Sequence, residues 1–182
     1  MRVREFLKKA DQSLFDVLLN NSKPSATLCG YIVPDVTRWR FCDVMEMSGA
    51  MTPIEVVSKV LNFHFKVSED EIMETRDRDF ISFLKHIKTE MDKVAKMQEA
   101  LKSEPDNDLV EAGIDLLNPF GELTIYYAIS KDPREWDAIS EVSFAKMYNK
   151  LMMDKINGDV QKKYNQIVSE RHERNRRNSK RG

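Results

Sequence analysis

Residues 77–102 read DRDFISFLKHIKTEMDKVAKMQEALK, and the spacing of their apolar side chains decides the fold. Phe80, Leu84, Ile87, Met91, Val94 and Leu101 recur four and three residues apart, with Gln98 the polar interruption. This is the seam of one helix over about three heptads. It suits either the spine of a monomeric bundle or an intermolecular coiled coil.

Toward the N-terminus, Ser68-Glu69-Asp70-Glu71 is a capping box with three acids against the positive end of a helix dipole. Thr52-Pro53-Ile54-Glu55 is a stronger one, with proline at the first helical position. It opens a helix through Val56, Val57, Val60, Leu61 and Phe63. From Asp35 the pattern is also helical, through Trp39, Phe41, Cys42, Val44, Met45 and Met47, and Ser48-Gly49 ends that element. Residues 3–10 form one or two helical turns. Between them, Leu14–Leu19 and Thr27–Val33 are apolar runs flanking the turn-rich Asn20–Ser25, which predicts a β-hairpin closed by Pro34.

On the other side, Ser103–Asn107 (SEPDN) breaks the long helix, and 108–117 form a short one. Asn118 is expected to cap a helix that starts at Pro119 and presents Leu123, Tyr126, Tyr127 and Ile129. Asp132-Pro133 repeats that signal for a helix through Trp136 and Ile139. Ser143 caps a longer one, with Phe144, Met147, Tyr148, Leu151, Met152 and Ile156 as its core stripe. Gly158 weakens or bends it before Val160, Tyr164, Ile167 and Val168 resume the stripe. The 118–168 unit is expected to organise the core or to face a partner.

The fold class that follows is mainly α: a helical bundle with one long central helix and a small N-terminal β-hairpin. Residues 1–170 form a single helical domain, with the hairpin inside 1–34, and 171–182 a basic flexible tail. The 182-residue length allows about 70% of the unfolded surface to be buried. A composition 32% charged and 41% apolar, with six glycines and six prolines, fits long helices on short connections. Cys29 and Cys42 form no CxxC pair and are expected to be free thiols in a reducing cytosol. MRVREFLKKADQ lacks the apolar run of a signal peptide, and no stretch approaches the roughly 20 apolar residues of a membrane span.

No constellation marks catalysis. His64, His86 and His172 are scattered, without HExxH or a helical pair. His64, between two phenylalanines, reads as a core or boundary histidine, and His86 as solvent-side. Asp106, Asp108 and Glu111 lack the glycine and bidentate glutamate of a calcium loop. There is no GxSxG elbow and no phosphate-cradling glycine loop. The expectation is a non-enzyme with no cofactor and no metal. Tyr126, Tyr127, Trp136, Tyr148 and Met152 are the candidate protein interface, being of types enriched at adaptable contacts. Arg174, Arg176, Arg177, Lys180 and Arg181 form the candidate grip on nucleic acid or an acidic partner, set against a merely solvated chain end.

Phe120-Gly121, Tyr126-Tyr127, Asp132-Pro133 with Trp136 and Ile139, and a last helix carrying Lys150, Leu151 and Lys155 resemble the end of tail assembly chaperones and related virion-assembly proteins of tailed bacteriophages. The likeness covers about a third of the chain. It implies a helical, non-catalytic protein acting in the cytoplasm of a bacterial host, or retained in the virion. Its partners would be other phage structural proteins, tape-measure or tube-like, or further copies of itself. The alternative is a small nucleic-acid-associated phage protein using its basic tail, or a structural virion subunit.

Overall fold

The computed structural model describes residues 1–47, 49, 51–102, 110–121 and 123–179. Ser48, Ser103–Asn107 and the start of the expected 108–117 helix lie outside them. The chain is mainly helical, with one small antiparallel sheet. Its elements are α1 (Val3–Lys9), α2 (Gln12–Asn21), β1 (Thr27–Leu28), β2 (Tyr31–Ile32), α3 (Phe41–Glu46), α4 (Pro53–His64), α5 (Glu69–Met73) and α6 (Asp77–Leu101). After α6 come α7 (Leu123–Ile129), α8 (Trp136–Ser140) and α9 (Phe144–Ser179), with 3₁₀ turns at Val36–Arg38, Ile114–Phe120 and Pro133–Glu135.

The helix read from 77–102 is α6, and it is the spine. Phe80, Ile81, Phe83, Leu84, Ile87 and Val94 are buried along it. Against it lie α1, α2, β1, α4, the Val36–Arg38 turn and α9. The seam is thus consumed within the monomer over 80–94, which removes the intermolecular coiled coil as its reading there. Gln98, the predicted interruption, is exposed, and the seam ends with it.

Local signals set the shorter helices. The Thr52 hydroxyl accepts the Glu55 N–H while the Glu55 carboxylate accepts the Thr52 N–H at 2.7 Å, the reciprocal box expected at α4. The Ser68 hydroxyl accepts the Glu71 N–H at the start of α5. The chain start docks on the α5–α6 junction: Val3 N–H donates to the Thr75 carbonyl, and Asp77 N–H to that of Met1. Asp43 and Glu90 are the buried carboxylates among the described residues. Glu90 accepts the Val36 N–H at 2.9 Å and pairs with Lys93, which ties the 3₁₀ turn to the spine.

Two placements differ from the sequence reading. Leu14–Leu19 is not a strand but the middle of α2. Asp11 caps that helix through the Leu14 N–H, and Phe15, Leu18 and Leu19 turn one face inward. The hairpin lies wholly within 27–32, pairing Thr27 with Ile32 and Leu28 with Tyr31. Cys29 and Gly30 both take positive φ, 52° and 79°, as a two-residue hairpin turn of the primed type requires. Asn118 and Pro119 do not open a helix either. They sit inside the Ile114–Phe120 3₁₀ turn, and α7 starts only at Leu123, after Gly121 with φ +49°.

The expected organising role of 118–168 is also corrected. Of the buried apolar side chains among the described residues, only Phe144 and Met147 come from beyond residue 94. The core is built by the first 94 residues because that is where long apolar faces converge on α6. His64 and His86 are both partly buried, each with a buried Nε2 that has no hydrogen-bond partner. His86 is therefore not solvent-side. Burial pushes both imidazoles below their ordinary range, offset in part by Asp43 near His64 and by Glu90 near His86.

The unfolded chain takes up protons near pH 6.5, whereas the folded chain holds these two rings neutral to lower pH. Stability should therefore fall as pH drops through about 6.5. The melting temperature measured from roughly pH 7.5 to roughly 5.5 should decline, and the slope should flatten in His64→Gln/His86→Gln. An unchanged slope would rule out this pair as its source.

Candidate interaction surface

Beyond residue 109 the chain changes character. Helix α9 is joined to the body by a backbone bridge: Phe41 N–H donates to the Val142 carbonyl and Phe144 N–H to that of Trp39, each at 2.8 Å. The Arg40 guanidinium braces this joint, with one edge on buried Asp43 and an Nη1 on Glu141 at 2.9 Å. Farther along, the Lys155 ammonium donates to the Ala100 and Lys102 carbonyls, both at 2.8 Å. A cation thus closes the negative end of the spine helix.

Past Lys155, the α9 side chains are almost all uncovered by the described residues. Residues 156–178 are exposed apart from Val168, which is partly buried. The expected core stripe therefore splits. Phe144 and Met147 are buried and Leu151 packs on the core, but Ile156 is 53% exposed. Gly158 interrupts nothing, since the helix is continuous through it. The segment 171–179, expected as a flexible tail, continues α9 as helix. Basic side chains near a helix C-terminus favour that, as does the Glu173–Arg177 pair four residues apart.

The linking segment is apolar and outward-facing. Val110, Ile114, Leu116, Leu117, Phe120, Leu123 and Tyr127 are all exposed, Leu116 to 77%. With the α9 side chains they make up twelve of the sixteen exposed large apolar residues among the described ones. Isolated exposed apolar residues are ordinary, but such a concentration on one part of a chain makes it a candidate interaction surface.

Of the five residues expected at an interface, Tyr127 alone is exposed. Tyr126 lies edge-on to Phe41 at 5.6 Å and next to Trp136 at 6.3 Å. Trp136 is partly buried and its Nε1–H donates to the Ser130 carbonyl at 3.0 Å. These rings dock α7 and α8 on the body. Tyr148 and Met152 are partly buried on α9. The spacings Val110, Ile114, Leu117 and Leu116, Phe120, Leu123, Tyr127 are those of helix faces, which predicts helix over 108–117 and a core or partner face beyond 118 but does not by itself tell an inward face from an outward one.

Of the basic group, Arg174, Arg176 and Arg177 are exposed, while Lys180 and Arg181 lie outside the described residues. At about 100° per residue Arg174 and Arg177 are neighbours about 60° apart, with Arg176 about 100° farther round the helix. Cys29 and Cys42 are free and partly buried, and burial raises both thiols above their ordinary range. Among the described residues no group of three His, Cys, Asp or Glu side chains is placed to hold a metal ion. No helix among them is long and apolar enough to cross a membrane. Comparison of the chain with family models, with characterised proteins and with solved structures returns no match.

Proposed function

We propose that the protein is a non-enzymatic assembly factor of a tailed bacteriophage that holds an apolar segment of another phage structural protein against residues 110–127. The observation that carries this reading is the run of exposed apolar side chains from Val110 to Tyr127, on a chain whose first 94 residues bury most of theirs. Hot spots of protein interfaces are large apolar and aromatic anchors in such patches, and Phe120, Leu116 and Tyr127 are the candidates here. The likeness of the Phe120-to-Lys155 pattern to tail assembly chaperones supplies the partner class, a tape-measure or tube-like protein. The setting is then the cytoplasm of a bacterial host, or the virion if the protein stays bound.

The test is a holding assay. The tape-measure protein of the same genome is diluted from denaturant with and without the intact chain, and its soluble fraction is measured. The wild type should keep it soluble, and Leu116→Ser/Phe120→Ser should lose most of that effect. The double variant should melt within a few degrees of wild type, because surface substitutions typically shift stability by about 0.5 kcal/mol or less. A wild type that neither binds nor protects the tape-measure protein would refute the proposal.

A second reading, nucleic-acid binding through Arg174, Arg176 and Arg177, draws on the basic end of α9. Its mark would be binding that falls with salt at a log–log slope of roughly −0.9 per phosphate contacted. Absence of binding at physiological salt dismisses it.

A further inference from the structure

Helix α9 carries two faces with different fates. At about 100° per residue, Phe144, Met147 and Leu151 point toward the body, and Met153, Ile156, Val160, Tyr164 and Ile167 lie within about 80° of one another on the opposite side. Those five are exposed, Val160 to 62% and Met153 to 63%. The stripe is thus on the side of α9 away from the face that packs on the body.

Three features choose the occupant. The stripe's spacing is three, four, four, three, symmetric about Val160. Reversing the helix about that residue sets Met153 opposite Ile167, Ile156 opposite Tyr164, and Val160 opposite itself. Along one flank of the stripe stand Asp159 and Lys163. In an antiparallel pair like flanks meet, so Asp159 of each copy faces Lys163 of the other. In a parallel pair that flank would instead meet Asn157 and Gln161, which carry no charge.

The third feature is longer-ranged. Residues 162–182 hold eight basic and two acidic side chains, and the rest of the chain twenty-one basic and twenty-eight acidic. Parallel pairing would stack the two basic ends together. Antiparallel pairing separates them and sets each alongside residues 138–158 of the second copy, which hold three basic and two acidic side chains, so the like-charge repulsion of the parallel arrangement is largely relieved.

We propose that α9 pairs antiparallel with α9 of a second copy of this chain, about a two-fold axis at Val160, burying Met153, Ile156, Val160, Tyr164 and Ile167. The interface is isologous and closes at two copies. It involves none of residues 110–127, so it does not rest on what they hold.

The test uses the full chain. Sedimentation over a dilution series should show a monomer–dimer equilibrium. Val160→Glu sets two carboxylates face to face on the axis and should halve the mass at high concentration while leaving the body's melting transition in place. Val160→Leu should remain dimeric. Under mild oxidation Val160→Cys should give a covalent dimer above the background set by Cys29 and Cys42. Met153→Cys should not, because its two copies would stand about 21 Å apart along the axis. Met153→Cys/Ile167→Cys should cross-link again. A wild type monomeric at every concentration, a dimer indifferent to Val160→Glu, or ready self-cross-linking of Met153→Cys would each overturn the pairing. So would a monomer whose Val160→Glu variant loses tape-measure protection, since the stripe would then belong to that other protein.

Discussion

Trp39→Ala is expected to lower unfolding free energy by about 3–5 kcal/mol, the range for truncating a fully buried aromatic. Trp39 has no exposed surface. Its ring meets Phe63 and His64 edge-on at 6.3 and 5.5 Å, and its Nε1–H donates to the Pro34 carbonyl at 2.8 Å. Its own carbonyl receives the Phe144 N–H, so a collapse around the cavity also loosens the joint that holds α9. Against a typical total of about 5–15 kcal/mol, such a loss leaves little margin. Urea unfolding followed by far-ultraviolet circular dichroism would measure it. The companion Trp136→Ala should lose distinctly less, because Trp136 is only partly buried and packs on Tyr126 at the edge of the body. Equal losses for the two tryptophans would contradict the placement of the core.

The second large effect belongs to the spine. Leu84→Glu with Val94→Glu should abolish folding, not merely association. Leu84 is 7% and Val94 2% exposed, both inside the monomer. Each substitution removes a buried apolar side chain, a loss of roughly 1–5 kcal/mol, and adds the penalty of a carboxylate without a partner. The sites are about 15 Å apart along the helix, so their effects should add and exceed the total stability. Circular dichroism should show collapse of helicity, with static light scattering reporting aggregate or expanded chain. A folded monomer with native helicity would return the seam to an intermolecular role.

The long helix was legible because its signal is redundant: α6 starts and ends within a residue of the stretch read from the heptads. The capping box of α4 was legible for a different reason, since four adjacent residues specify it without tertiary help. Helix α2 was not, because Leu14–Leu19 is a short continuous apolar run that suits a strand as well as a helix, and the tie is broken by Asp11 together with burial of Phe15. In α9 the apolar positions were read as one stripe when they are two, on opposite sides. Residues 144–151 were assigned correctly to the core side, and Ile156 was not, because a change of face at constant spacing leaves little trace in a list of apolar residues. Of the side chains expected at an interface, Tyr127 is exposed, whereas Tyr126 and Trp136 pack α7 and α8 on the body.

The two attachments of α9 have a mechanical consequence. The helix is held at the Trp39–Phe144 bridge and again at Lys155, supports about 16 Å apart, and then runs free for about 36 Å to Ser179. Taken as a rod, it is a lever pivoting near Phe144, with its tip about three times farther from the pivot than Lys155 is. A 1 Å displacement of the ammonium from the end of α6 would swing the tip by roughly 3 Å. In the other direction, a load anywhere on the overhang produces its largest torque at the two hydrogen bonds from the partly buried Lys155 ammonium to the Ala100 and Lys102 carbonyls, so that contact yields before the packing around Trp39 feels the strain.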